Sequence, residues 1–573
     1  MGVQQQGKPM KFIPGVLATC LCLLSSTTLF AENAPTPHQP NILLLVADDL
    51  GYADLGAMGS EISTPNLDQL IAGGKLLLDF HSAPSCSPTR AMLLTGNDQH
   101  LSGIGMMAET RNRLFAHQAI RPGYEGVLQG EAVTLAELLR DAGYETSIAG
   151  KWHLGKLPEQ QPQNRGFAES YVVLEGGAAH FKQKEMSIQA NYSATFVHNG
   201  EPLALPENYF STTYFTDRLI ETTRAAHEQN KPFFAFAAFT APHWPLQAPD
   251  SYLAKYRGFY DRGYQVIADQ RLVRQKELGL LPADFQTRAV LEGVPEWYSL
   301  SAEEKMRSAR SMEAYAAMVE SLDQEIGRLV THLKNLGEYD NTLILFMSDN
   351  GPESVNRGDS IKEWVAEHFD NRLDNLGRAN SFVTYGPAWA QVSAQPGRRY
   401  KQTIFEGGIR VPAFVHFPAR VLKGQTTEFA SVRDVMPTFL QVAGIEHPGI
   451  RYKGRAVIPS QGSTMLPFLS GEEPRIHAAA QQMGWEQDGA AALRRGNLKL
   501  VYAPKITGAT WRLYDLATDP AEQQDLAGQH PEQVKDLLMD WRQYAGNNNI
   551  SIDEAGVPRF PALQRPADSA PDL

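Results

Sequence analysis

Three long apolar runs constrain this chain more than any other feature. NILLLVADD (41–49), PFFAFAAFT (232–240) and NTLILFMSDNG (341–351) contain almost no polar residue until their last positions. A strand with one wet face alternates apolar and polar side chains. Strands without alternation must be covered on both faces, as in a parallel sheet wrapped by helices. Helix signals fill the intervals. Thr64 and Pro65 open TPNLDQLIAGG and Gly73–Gly74 stop it, Thr134 and Glu137 cap LAELLRDAG, and Ser301 and Glu304 cap a long amphipathic segment that Gly337 ends. The short strand ETSIAG (145–150) leads directly into KWHLG. Strands alternating with helices predict an α/β domain. From about residue 450 the pattern changes: LKLVYAPK and WRLYDL read as antiparallel strands followed by a helix near PEQVKDLLMDWRQYA, a smaller α+β domain.

At 573 residues two domains are the natural expectation. A net charge of −12 argues against non-specific nucleic-acid binding. Lys8 and Lys11 precede an apolar run softened by Ser and Thr, and Ala31 offers a small residue for cleavage, so residues 1–31 read as an export signal. No later stretch is apolar enough to span a bilayer, and the mature chain is expected to be exported, periplasmic or secreted, without a membrane span. Cys20 and Cys22 fall in the signal, which leaves Cys86 without a partner for an internal disulfide.

Open α/β sheets bind ligands at the carboxyl ends of their strands. Asp48 and Asp49 end the first apolar run, Asp349 and Asn350 the last; Lys151 and His153 follow ETSIAG, and His243 follows PFFAFAAFT. Three carboxylates in one place repel unless a cation sits among them, and oxygen ligands select calcium or magnesium over zinc. Cys86, followed by Ser87 and Pro88, falls at a helix start, where free N–H groups favour an anion, and Arg90 lies one turn later on the same face.

Cys86-Ser87-Pro88-Thr89-Arg90, extended by AMLLTG, resembles the signature of the sulfatase family, whose C-x-P-x-R cysteine a maturation enzyme oxidises to formylglycine. GYETSIAGKWH (143–153) is similar to the family's second signature, and VADDLGYADLG, APHWPLQAP, MSDNG and GGIRVPA extend the likeness over most of the chain, most like the large bacterial arylsulfatases. The resemblance implies an alkaline-phosphatase-like mixed sheet sandwiched by helices (38–450), a C-terminal α+β domain on an antiparallel sheet (451–557) and a tail (558–573). It implies a sulfuric-ester hydrolase cleaving aryl or other small sulfate monoesters through a sulfated formylglycine hydrate. Asp48, Asp49, Asp349, Asn350 and modified Cys86 would bind calcium, with magnesium as the other candidate. Arg90 would hold the hydrate and offset charge at the metal site, and Lys151 and Lys401 would contact the sulfate oxygens; His153 would pair with the hydrate and be the base of the release step, and His243 the acid for the leaving group. A formylglycine-generating enzyme is the implied partner. Some relatives with the same modified cysteine cleave phosphonate monoesters or phosphodiesters, which is the alternative activity; a non-catalytic binding protein on the same scaffold is the alternative class. Residues 155–230 and 250–300 are expected to build the rim of the pocket.

Overall fold

The computed structural model describes residues 1–2, 39–115, 121–189, 192–285, 292–354 and 361–559. The expected signal, with Cys20 and Cys22, and nearly all of the expected tail lie outside the described residues. Among the described residues no helix is long and apolar enough to cross a membrane.

Ten strands form one mixed sheet, in the spatial order Gly424–Thr426, Lys75–Leu77, Ala413–His416, Thr342–Ser348, Asn41–Ala47, Phe233–Ala238, Glu145–Lys151, Glu169–Val173, Phe196–His198 and Glu201–Pro202. The five from Thr342–Ser348 to Glu169–Val173 run parallel. The central strand shows why its sequence does not alternate. Ile42, Leu44 and Val46 point into one core, while Leu43, Leu45 and Ala47 point into a second core across the sheet. Each side of the sheet needs its own apolar set, so every position is apolar.

The capping pairs form as their spacing predicts. Thr134 and Glu137 make a reciprocal box at helix Leu135–Asp141, and Ser301 and Glu304 do the same at helix Ala302–Leu336, which Gly337 ends in the left-handed conformation. Thr64 sits at its helix N-cap without capping it; its Oγ1 accepts from Gly56 N (2.8 Å) and donates to Asp68 (3.1 Å) instead.

The C-terminal sheet has four antiparallel strands, Gln482–Gln487, Ala490–Arg495, Leu498–Tyr502 and Trp511–Asp515. The last two match the expected pair; the first two carry too few β-branched residues to stand out in the sequence. Ala492 and Val501 face the core shared with the large sheet, whereas Leu493 and Leu500 face Leu537 and Trp541 of helix Pro531–Asn547. This sheet groups with the large one in the unit that begins at Gln39.

One buried charge cluster fastens the two sheets. Lys499, fully buried, pairs with Glu406 and Glu522, each at 2.8 Å, and His81 Nε2 lies 2.9 Å from Glu406. Removing the lysine would strand two buried carboxylates. Lys499→Met is therefore expected to cost about 3–5 kcal/mol of stability, read as a lower urea midpoint. A loss below about 1 kcal/mol would contradict this role for the cluster.

Candidate active site

The chemistry-bearing residues meet at the carboxyl ends of the parallel strands. Helix Cys86–Thr95 begins at Cys86, with Ser85 as its extended N-cap, and all ten of its residues are buried. Thr89 fixes the incoming loop: its Oγ1 accepts from Ala83 N (2.9 Å) and donates to Ala83 O (3.2 Å). Cys86 Sγ then lies 3.6 Å from Asp48 Oδ1 and 3.9 Å from Asp49 Oδ1. Burial pushes its thiol far above the usual range, against the pull of Lys151 and Lys401. Such a thiol stays protonated and is a weak nucleophile.

Each carboxylate is held by its own cation. Lys151 Nζ donates to both oxygens of Asp48 (3.0 and 2.8 Å). Lys401 Nζ lies 2.8 Å from Asp49 Oδ1 and 3.0 Å from its Oδ2. Arg90 donates from Nε (3.1 Å) and Nη2 (2.9 Å) to Asp349 Oδ2, and from Nη1 to the Lys151 carbonyl (3.0 Å). Arg90 thus braces Asp349 against the strand that carries Lys151. Burial raises Asp48 to about 6, with Asp349 adding to it, and raises Asp49 to about 7 with Asp48 and Glu353 adding. Burial opposes ionisation of Asp349 as well, but Arg90 holds it below the ordinary value.

Two close backbone approaches set these side chains. Gly150, at φ +127°, lies so near the neighbouring strand that a Cβ would fall 1.8 Å from Ala238 O. A Cβ on Gly351 would fall 1.9 Å from Gly407 O, so the DNG turn and the FEGGI segment pack backbone to backbone. Lys401 N donates to Pro352 O (3.1 Å) within the same contact.

The donor set fits a hard divalent cation. Oxygens of Asp48, Asp49 and Asp349 and the sulfur of Cys86 lie within 4.8 Å of one another. Asn350 supplies the decisive atom. Its Nδ2 donates to Asp49 Oδ1 (2.7 Å) and Gly351 O (2.9 Å), which fixes the amide, while its Oδ1 is buried with no hydrogen-bond partner among the described residues. A buried carbonyl oxygen among carboxylates is satisfied by a cation.

The Sulfatase family model matches residues 40–445, and a second, N-sulphoglucosamine sulphohydrolase, C-terminal, matches residues 397–543. The chain belongs to the sulfatase family. It is 42% identical to an uncharacterized sulfatase of Schizosaccharomyces pombe, over 89% of this chain and 94% of that one. It is 36% identical to an arylsulfatase of Klebsiella aerogenes, over 76% and 92%. The crystal structure of Ps i-CgsB in complex with k-i-k-neocarrahexaose superimposes with a TM-score of 0.63 at 26% identity, covering 89% of this chain and 93% of that one. The fold is accordingly the alkaline-phosphatase-like one, and the protein is a sulfatase-family hydrolase. Sulfatases generally use formylglycine and a divalent metal.

In this sulfatase a pocket of about 650 Å³ opens onto Cys86, His153, His243 and Lys401. His243 Nδ1 lies 2.6 Å from Trp244 O, an acceptor only, so Nδ1 carries the proton; Nε2 lies 3.6 Å from Asp49 Oδ2. Burial, then Lys401 and Lys151, hold His243 well below its ordinary value. His153, at φ +58°, turns Nε2 toward both oxygens of Glu109 at 3.2 Å, and its Nδ1 is buried without a partner. Tyr192 donates to the same glutamate (2.6 Å). Neither Glu109 nor Tyr192 carries a motif signal, and they reach His153 from separate segments.

The rim differs from the expected one. Glu175–Gly177 and Ile188, Gln189 and Tyr192 do line the pocket, but among the described residues nothing from 250–300 does. That segment packs elsewhere: Arg271 pairs with Asp54 (2.7 Å) and Glu61 (2.8 Å). Residues between Met107 and Arg113, among them Glu109 and Arg113, also line it, as do Glu353, Gln402 and Asp488, the last from the C-terminal sheet's first hairpin. Of the two tryptophans beside the site histidines, Trp244 lines the pocket, while Trp152 is buried against Phe167.

Asn350→Leu keeps the branched shape but deletes the orphaned oxygen, together with the amide donor to Asp49 and Gly351. Isothermal titration with calcium is expected to show affinity lowered about tenfold or more. Equal binding by both proteins would contradict the ligand assignment.

Proposed function

We propose that this sulfatase hydrolyses aryl or other small sulfate monoesters to a phenol or alcohol and inorganic sulfate. It does so with residue 86 after a formylglycine-generating enzyme has oxidised the thiol, and with calcium held by Asp48, Asp49, Asp349, Asn350 and residue 86. The observation that carries this reading is Cys86 itself: an unpaired thiol, kept protonated by burial, at a helix mouth among three carboxylates. The thiol is a poor nucleophile in that setting, whereas its position suits a metal-activated oxygen. The arylsulfatase of Klebsiella aerogenes, similar over most of its length, supports the aryl preference. Export, to the periplasm or outside the cell, is part of the same proposal and rests on residues 1–31.

Once formed, a hydrated aldehyde at residue 86 would supply two hydroxyls on one carbon, one to attack sulfur and one to expel sulfate, and a cation held by Asp48, Asp49, Asp349 and Asn350 would supply Lewis acidity toward the ester. The chain's own residues do the rest. Lys401 lines the pocket and Lys151 is buried on Asp48; both ammonium groups would hold sulfate oxygens, whose charge must be matched in the transition state. Arg90 keeps Asp349 ionised and steadies the frame of residue 86. His243 has a bare Nε2 in the free protein. An anionic ester beside it favours protonation there, and that proton is the one passed to the departing oxygen. His153 presents the bare Nδ1 as a proton acceptor, because Glu109 holds Nε2–H.

The test is a parallel assay of an aryl sulfate, a phosphonate monoester and a phosphodiester, repeated with Cys86→Ala. The sulfate is expected to be the preferred substrate. The variant is expected to keep its circular dichroism and lose about a thousandfold or more of kcat/KM. Preference for a phosphorus ester, or retained turnover in the variant, would overturn the proposal.

A further inference from the structure

A second polar pocket, of about 280 Å³, shares no lining residue with the one at Cys86. It lies in the seam between Arg433, on a single turn of 3₁₀ helix (Val432–Asp434), and helix Pro531–Asn547. Arg433 is 4% exposed. Among the described residues no carboxylate lies within 4.0 Å of its guanidinium. Its one side-chain hydrogen bond is a long one, from Nη1 to the Tyr544 hydroxyl (3.4 Å), and its Nε is buried with no partner. Its sequence neighbour Asp434, and Asp98, which shares Tyr544 with it, are committed elsewhere. Asp434 accepts from Ser431 N (2.7 Å) and Ser463 N (2.8 Å) and lies 3.0 Å from His477. Asp98 accepts from the Tyr544 hydroxyl (2.5 Å) and lies 2.8 Å from His100. A guanidinium on a side chain this buried, with no counter-charge beside it, calls for an anion or water to meet its free N–H groups.

We infer that this seam is a binding site for an oxyanion, a sulfate or carboxylate group, taken by Arg433. The planar fork of an arginine matches two oxygens of such a group, and Nη1 is the only nitrogen already engaged. Gln481, Gln543 and Asn547 complete the wall with side-chain amides that make no hydrogen bond among the described residues. Amides donate and accept, so they suit either a free anion with its waters or the hydroxyls of a sugar that carries the anion. The shared chemistry is the oxyanion. None of the groups involved belongs to the hydrolytic machinery, so the site stands or falls independently of the reaction assigned to residue 86.

Crystals of the full chain soaked in sodium selenate, read by anomalous diffraction at the selenium edge, locate the anion directly. A selenium peak within hydrogen-bonding reach of Arg433 is expected, and Arg433→Gln should abolish it. In solution, calorimetric titration with sodium sulfate and with glucose 6-sulfate, against chloride at equal ionic strength, separates the sources. Binding of both at this site supports a free oxyanion; binding of the sugar sulfate alone supports a sugar-borne one. In either case Arg433→Gln should weaken binding at least tenfold. The exposed pair Gln543→Leu and Asn547→Leu should weaken the sugar sulfate more than free sulfate if the sugar is the source, and it leaves the buried arginine in place should Arg433→Gln unfold. No selenium peak at Arg433, together with calorimetric binding unchanged in both variants, would overturn the inference.

Discussion

Asp48, Asp49 and Asp349 share one dry corner at the carboxyl ends of the central strands, and the rest of the site is arranged around keeping them there. Buried carboxylates at such distances cannot all ionise without compensation. Lys151, Lys401 and Arg90 provide it one for one, each arriving from a different segment. The pairings explain why so much backbone is pressed together nearby. A Cβ at Gly150 or Gly351 would push a strand end or the DNG turn away, and a lysine with it.

The same balance gives the site its chemical character. With Lys151, Lys401 and Arg90 set against Asp48, Asp49, Asp349 and Glu353, the last 3.4 Å from Lys401, a divalent cation would bring in charge that an anionic ester can answer. The orphaned oxygen of Asn350 marks where that cation is wanted, and Cys86 stands at the edge of the cluster. The C-terminal sheet belongs to this arrangement. Lys499 binds Glu406, just after the loop that carries Lys401, and Asp488 reaches the pocket wall.

Much of this was legible in the sequence, for identifiable reasons. Unbroken apolar runs can only be strands covered twice, and polar residues at their ends can only gather at one edge of a parallel sheet. That logic placed Asp48, Asp49, Lys151, His153, His243, Asp349 and Asn350. Lys401 was legible only through the family resemblance, since RRYKQ alone reads as a solvated basic run, yet the lysine is buried. Arg90 does follow Cys86 by one turn, but its observed hydrogen bonds go to Asp349 and the Lys151 carbonyl. Glu109, Tyr192 and Asp488 were not legible. Each acts through contacts between segments far apart in the chain, and such contacts leave no local pattern. The strands Gln482–Gln487 and Ala490–Arg495 were missed because pairing and burial, rather than composition, make them strands.

In the proposed reaction Cys86 is a precursor rather than the working nucleophile. Its burial, which pushes the thiol's pKa up, and its place among three carboxylates make poor sense for a thiol that must attack. Mass spectrometry of the peptide bearing residue 86, taken from catalytically active protein, tests this most directly. The account predicts an aldehyde, or its hydrate, in place of the thiol. Active protein carrying only unmodified cysteine at that position would contradict it.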